Sequence, residues 1–251
     1  MAEIELHRFL TLGVLGVAVL TFAALMLIAA PYGRHHRGGW GPSIANRTAW
    51  ILMEAPASLV FAGVYFMGAQ RWHTVSLLLL AMWQWHYVNR TFVFPFRLKT
   101  SGKRMPVLIM SLGMTFNGLN AYLNARWISE FGPYDAWLTD PRFVIGALVF
   151  IAGRLINARS DAILLALRKP GETGYKIPTG GLFRWVSSPN YFGEIIEWTG
   201  WAIATFSLPG LAFAAYTAAN LVPRARANHR WYKDKFDDYP KERTALIPFL
   251  L

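Results

Sequence analysis

A carboxylate, Glu54, sits in the apolar stretch TAWILMEAPASLVFAGVYFM. An acidic side chain at mid-bilayer costs roughly 2.5–3.5 kcal/mol on insertion scales, so its presence asks for a reason. Two plain reasons are a position near the membrane boundary and a structural pairing with a basic residue on a neighbouring helix. The third is a cavity in which the carboxyl does chemistry. A second group follows in WQWHYVNRTFVFPF, where His86, Tyr87, Asn89 and Arg90 crowd the end of an apolar run. Tyr87 and Arg90 are i and i+3, so on a helix they share one face. An interfacial aromatic belt with a snorkelling arginine accounts for Trp83 and Trp85, but four adjacent polar side chains exceed what anchoring requires.

A third group lies in GRLINARSDAILLALRKPGETGYKIPTGGLFRWVSSPNYFGEIIEW. Asn157 and Asp161 are i and i+4 on one helix face, with Arg154 and Arg168 flanking them. Glu194 and Glu197 are i and i+3 just after the SSPN turn. In a first helical turn they would be ordinary dipole partners, and all three carboxylates could simply neutralise the cations around them. Taken together, this is a polar basket of Asn, Asp, Arg, Tyr, Glu and Lys at the end of apolar helices. It suits a large, anionic, hydrogen-bond-rich ligand better than lipid. The C-terminal VPRARANHRWYKDKFDDYPKERTALIPF adds cations and Tyr232. Its Lys233, Lys235 and Lys241 read as attraction to anionic headgroups.

Several chemistries are absent from the pattern. Neither a G-x-G-x-x-G nor a P-loop is present, so any nucleotide must be held by the helix bundle itself. H-E-x-x-H, G-x-S-x-G and zinc-like His clusters are missing too, and no metal is expected. His35 and His36, adjacent in a basic loop, read as surface residues. With no cysteine, disulfides, thiolate nucleophiles and Cys-ligated metals are excluded. The tripeptides at Asn46 and Asn89 fall on the cytoplasmic side or in the membrane under the topology below, and are discounted as glycosylation sites.

The elements that must position these residues are membrane helices. Hydrophobic residues make up 54% of the chain and charged ones 16%, against roughly 25% charged in an average soluble domain. The net charge of +11 falls between apolar segments rather than along one face, which argues for membrane topology and against nucleic acid. Apolar runs mark seven spans, at about 9–30, 50–67, 75–94, 107–123, 143–155, 195–206 and 209–221. The first is too long for a signal-peptide core and follows Glu3 and Glu5. The last two are parted by SLPG, which reads as a tight helical hairpin. Several runs are shorter than the roughly 20 residues a crossing needs and require flanking polar residues to complete their helices.

Alternating the sides puts Arg8, Arg71, Arg126 and Arg142 on one face and the other 21 of the 25 Lys and Arg on the opposite face. The positive-inside rule then places the N-terminus outside and the C-terminus in the cytoplasm. The expected fold is an all-α, seven-transmembrane bundle forming one domain over 1–251. The long connection at 157–194 contains Tyr, Trp and Phe and reads as functional rather than disordered. Nothing calls for an obligate protein partner; the bilayer itself is the expected surrounding.

The segments NARSDAILLALRKPGETGYKIPTGGLFRWVSSPNYFGEIIEWTGWAIATFSLPGLAFA and FDDYPKERTALIPFLL resemble the steroid 5α-reductase family of membrane NADPH-dependent reductases. HYVNRTFVFP is similar to the family's His-Tyr-x-x-Arg-Thr-Phe segment, and MEAPAS sits where the family places its membrane glutamate. The resemblance runs from about residue 50 to the end; the first span and the loop at 31–47 carry little of it. It implies hydride transfer from NADPH to the β-carbon of an α,β-unsaturated ketone, as in a 3-oxo-4-ene steroid. Such a reaction needs an electrophilic clamp on the ketone oxygen, where charge builds, and the resemblance gives that role to Tyr87 and Glu54. A carboxyl in a low dielectric is tolerable as the neutral acid, which can donate a hydrogen bond or orient the Tyr87 hydroxyl.

The resemblance also assigns NADPH to the cytoplasmic basket, through Asn157, Asp161, Arg168, Tyr175, Asn190, Glu194, Arg224, Asn228 and Tyr232. Arg90 and Lys103 are further phosphate candidates. The substrate cavity is expected mainly from 1–125 and the cofactor pocket mainly from 150–251, in a bacterial inner membrane or an endoplasmic reticulum membrane. Three positions depart from the family. Met53 replaces a glutamine, which removes a polar substrate contact and leaves another enone lipid as an alternative substrate. Lys176 stands where an Arg is usual, forfeiting bidentate phosphate geometry, and Asn228 replaces a histidine beside His229. A more distant similarity links the C-terminal half to sterol reductases and to membrane isoprenylcysteine methyltransferases. S-adenosylmethionine as ligand is therefore the competing reading, but it needs no ketone clamp. A non-enzymatic lipid-binding scaffold is the third.

Overall fold

The structure, a computed structural model, describes residues 2–31, 33–35, 37–98, 102–168, 172 and 174–251. His36, Lys99 and Lys169, named in the loop and charge readings above, lie outside them. The described residues are mainly helical: α1 (Glu3–Leu27), α2 (Asn46–Phe66), α3 (Thr74–Val88), the short α4 (Phe94–Arg97), α5 (Val107–Arg126), α6 (Pro141–Ala166), α7 (Pro189–Thr205) and α8 (Leu208–Lys235). The seven long helices overlie the seven apolar runs. Three of them, α1, α2 and α6, are long and apolar enough to cross a membrane by length and composition. The shorter runs are completed by polar flanks, since α6 continues to Ala166, α7 begins at Pro189 and α8 continues to Lys235. Large side chains of α1 such as Phe9, Val19 and Leu20 point outward, as in a protein that meets lipid.

Among the described residues one two-stranded sheet interrupts the helices. Strands β1 (Ser43–Ala45) and β2 (Arg104–Pro106) pair antiparallel, Ser43 opposite Pro106 and Ala45 opposite Arg104. This clip ties the entry of α2 to the entry of α5, and α2 and α5 then pack side by side. Between α3 and α4 the chain makes a π-helical turn at Asn89–Val93, the kind of bulge that re-aims side chains at functional sites. Helix starts are specified locally. Asp140 caps α6 by accepting from Arg142 N at 2.8 Å, ahead of Pro141. Ser207 caps α8 by accepting from Gly210 N at 3.0 Å. Between α7 and α8, Phe206 takes a left-handed conformation, φ 41°, which makes the tight hairpin expected from SLPG.

Helices α6 and α7 approach most closely, through glycines at seven-residue spacing. A Cβ on Gly146, Gly153 or Gly200 would collide with the main chain of Ala204, Glu197 or Phe150. The core is aromatic: Phe61, Tyr87, Trp83, Trp198, Trp201 and Phe213 form one cluster. Trp83 is its hub, stacked on Phe61 at 4.3 Å and donating to Ala57 O at 2.7 Å. The interfacial-belt reading of Trp83 is therefore wrong, whereas Trp85, two residues along the helix, is exposed. Periodicity cannot separate the two because both rings sit in one apolar run; only the neighbours decide.

Candidate active site

A cavity of about 700 Å³ opens within the bundle. Its apolar part is walled by Met53 of α2, Leu112 and Phe116 of α5, Phe213 and Tyr216 of α8, and Thr21, Ala24 and Leu25 of α1. The first helix therefore lines the cavity directly. Phe116 stacks on Tyr216 with ring centres 3.6 Å apart, giving a flat hydrophobic wall. Glu54 and Tyr87 face the same space from α2 and α3. Tyr87 is 4% exposed and packs edge-on to His86 and against Trp83 and Trp198. Glu54 accepts from Asn117 Nδ2 at 3.3 Å, and the same amide donates to Met53 O at 2.8 Å.

Next to this pair the wall turns polar. Arg90 donates to Asp161 Oδ2 at 3.2 Å and lies 3.9 Å from Glu194 Oε2. Its guanidinium also rests over Trp50 and Phe94, at 5.0 and 4.7 Å. Asn190 donates to the other Asp161 oxygen at 3.2 Å. Residues from three separated segments thus share one network, as the basket reading expected. Asn157 is a step removed: it is buried behind the wall, donating to Asn190 O at 3.0 Å and to Glu194 at 3.4 Å. Glu194 and Glu197 do not occupy a first helical turn, because α7 already starts at Pro189. The dipole explanation for them falls away. Glu194 faces the cavity, and Glu197 points inward to His86 Nδ1 at 2.9 Å and Arg154 Nε at 3.8 Å.

The mouth of the cavity is rich in cations and rings. Tyr175 accepts from Lys103 Nζ at 3.0 Å, and the Arg168 guanidinium lies 5.1 Å from its ring centre. Arg34 covers Tyr232 at 4.6 Å and Trp231 at 5.1 Å. Arg224 lies over Tyr191 at 5.3 Å. Asn228 Oδ1 is 3.2 Å from His35 Nε2, and its amide nitrogen donates to Ser188 Oγ at 3.5 Å. His35 is thus not a surface residue as its basic loop suggested; it is half-buried on the cavity wall. Burial, reinforced by the neighbouring Arg34 cation, holds its imidazole below the ordinary range against the pull of the Asn228 hydrogen bond. Among the described residues no cluster of His, Asp and Glu could hold a metal ion.

Met53, Glu54, Tyr87, Arg90, Lys103 and Asp161 all line this one cavity, as do Arg168, Tyr175, Asn190, Glu194, Arg224, Asn228 and Tyr232. Sequence reasoning missed Asn117, Arg34 and His35; the α1 wall falls within the 1–125 stretch from which the substrate cavity was expected. Asn117 carried a usable signal, a polar amide inside an apolar run, the same anomaly that exposed Glu54. Arg34 and His35 carried none, because a basic loop looks alike whether it faces water or folds back over a pocket.

Residues 103–251 match the family model described as 3-oxo-5-alpha-steroid 4-dehydrogenase. The chain is 46% identical over 242 residues to a Gossypium hirsutum protein named Steroid 5-alpha-reductase DET2, covering 93% of each chain. It is 43% identical to 3-oxo-5-alpha-steroid 4-dehydrogenase 1 of Bos taurus, over 94% of this chain and 93% of that one. A DET2 steroid 5-alpha-reductase of Arabidopsis thaliana is 43% identical over 100% of this chain and 98% of its own. The similarity therefore reaches through the first helix and the following loop, which the sequence reading had set apart. On this evidence the chain belongs to the 3-oxo-5-alpha-steroid 4-dehydrogenase family.

Proposed function

We propose that this protein is an integral membrane oxidoreductase that reduces the C4–C5 double bond of a 3-oxo-4-ene steroid, using NADPH. The observation that carries the reading is one cavity with a Glu54–Tyr87 pair in its apolar part and a cation- and ring-rich mouth, in a chain 43–46% identical to relatives named for that reaction.

NADPH, when bound, supplies hydride to the substrate's β-carbon. The residues at the mouth fit such a group. Arg34 Nη1 is buried without a hydrogen-bond partner, and Lys103, Arg168 and Arg224 add cations for phosphate oxygens. Tyr175 and Tyr232 offer ring faces, Asp161 and Glu194 offer carboxylate acceptors, and Asn190 and Asn228 offer amides. Asn157 holds Asn190 and Glu194 in place from behind. At the other end, the Tyr87 hydroxyl donates to the ketone oxygen. Glu54, as the neutral acid, donates a second hydrogen bond or orients the phenol. Both are worth most in a dry, low-dielectric cavity, where donors aimed at developing charge need no reorganisation. Reduction of the double bond would place negative charge on the ketone oxygen, where Tyr87 and Glu54 stand as donors, until a proton from Tyr87 or water at the α-carbon restores the carbonyl. Phe116, Tyr216 and Met53 supply the hydrophobic walls that a ring system requires. The thioether of Met53 leaves that wall without an amide, so a non-steroid enone lipid is the alternative substrate.

The topology belongs to the same proposal: seven crossings, N-terminus outside, and the mouth opening to the cytoplasm where NADPH is available. The test is NADPH oxidation by detergent-purified protein with a 3-oxo-4-ene steroid, beside Tyr87→Phe and Glu54→Gln. Turnover by the wild type, with each variant slowed on the order of 10²–10³-fold, is the expected result. Failure to bind NADPH would sink the reading and make S-adenosylmethionine the next ligand to try.

A further inference from the structure

Asn117 is a polar residue on the cavity wall to which neither the family pattern nor the reading above gives a role. It sits on α5 in the run VLIMSLGMTFNGLNAYLNAR and is 9% exposed. Its amide nitrogen reaches two acceptors on α2, Met53 O at 2.8 Å and Glu54 Oε2 at 3.3 Å. A single –NH₂ has two hydrogens, so both bonds form together. One fixes the α2 main chain at the residue before the carboxylate, and the other fixes the carboxylate itself.

The helix surface around Asn117 is shaped for the same contact. Gly113 lies one turn earlier on the same face, and a Cβ there would stand 2.7 Å from Met53 Sδ. Gly118 presents itself to Pro56, its Cβ position 3.9 Å from that ring. Proline lacks an N–H and interrupts the helical ladder, so α2 needs an outside hold close to Glu54. Helix α5 thus meets α2 at Met53, Glu54 and Pro56, and Asn117 is the polar point of the contact.

We infer that Asn117 is a positioning residue that sets the rotamer and hydrogen-bonding direction of the Glu54 carboxyl. One Glu54 oxygen accepts from the amide, which leaves the other oxygen to face the cavity and the Tyr87 hydroxyl. The inference rests on the catalytic role proposed for Glu54, but its geometry is testable without turnover.

The experiment uses full-length protein in detergent, with Asn117→Ala and Asn117→Asp beside Glu54→Gln. The first readout is steady-state reduction of a 3-oxo-4-ene steroid. Asn117→Ala lowers kcat on the order of 10- to 100-fold, while KM and NADPH binding stay near wild type. Asn117→Asp is as slow at neutral pH and recovers as pH falls, because only the protonated acid can donate to Glu54; a merely structural amide gives no such acid limb. Wild-type kcat in Asn117→Ala overturns the inference. The second readout is the infrared carboxyl band that disappears in Glu54→Gln. It shifts in Asn117→Ala if the amide bonds that carboxyl, and an unmoved band overturns the inference. If the wild type reduces no steroid yet the band shifts, the steroid reading has failed and the positioning geometry stands.

Discussion

At the residue scale, the least expected feature is the buried trio of His86, Glu197 and Arg154, on α3, α7 and α6. The Glu197 side chain is 0% exposed, with His86 at 2.9 Å and Arg154 at 3.8 Å. Burying such groups is tolerated only when they satisfy one another. Replacing Glu197 by Ala strands the Arg154 cation, and the expected loss is about 3–5 kcal/mol, read as a lower thermal midpoint in detergent. An unchanged midpoint would mean that Glu197 holds nothing together. His35 gives a second test. Its imidazole is held below the ordinary value of 6.5, first by burial. The unfolded chain therefore takes up this proton before the folded one does, and stability is lost as pH falls below that value. Between pH 7.5 and 5.5 the midpoint of His35→Gln should fall less than that of the wild type. Parallel curves would refute the assignment.

At the element scale, the α6–α7 pair determines whether the polar basket forms. Asn157 and Asp161 on one helix meet Asn190 and Glu194 on the other only because the backbones touch at Gly146, Gly153, Gly193 and Gly200. Gly153→Ala places a methyl against the main chain of Glu197, where no side chain can rotate away. The expected cost is about 1–3 kcal/mol. NADPH affinity should weaken with it, because the two halves of the basket are pushed apart. Equilibrium binding checks this, with Gly63→Ala as control, since a Cβ at that α2 position meets nothing within 4 Å. The seven-residue spacing of these glycines is visible in the sequence. Their partners are not, because a glycine in an apolar run looks the same facing lipid or facing a helix.

At the scale of the whole molecule, the charge split predicts which side of the membrane holds the mouth. The chain has no cysteine, so single cysteines placed near each end report topology without a background. In right-side-out vesicles, an impermeant maleimide should label a cysteine at residue 2 and spare one at residue 242 until the membrane is opened. The reverse pattern would put the mouth on the outer face and remove NADPH as a reachable cofactor. The cavity itself is a property of the whole chain: α1, α2, α5 and α8 wall its apolar part, while the connections after α1, α4 and α6 converge on its mouth.

By itself, the sequence determined the helical class, the positions of seven apolar helices, the α7–α8 hairpin and the anomalous polar residues. Those follow from periodicity, length and the cost of polarity in lipid, which act along the chain. The polar residues that it flagged on α2, α3, α6 and α7 do come together. Only the tertiary structure decided which residue faces what. Trp83 became core and Trp85 surface, and Asn157 moved behind the wall. Glu197 turned inward while Glu194 faced the cavity. His35 folded over the pocket, and Asn117 reached Glu54 across two helices. Each of these depends on the rotation of one helix against another. That rotation is set by contacts between residues far apart in the chain, which no local pattern records.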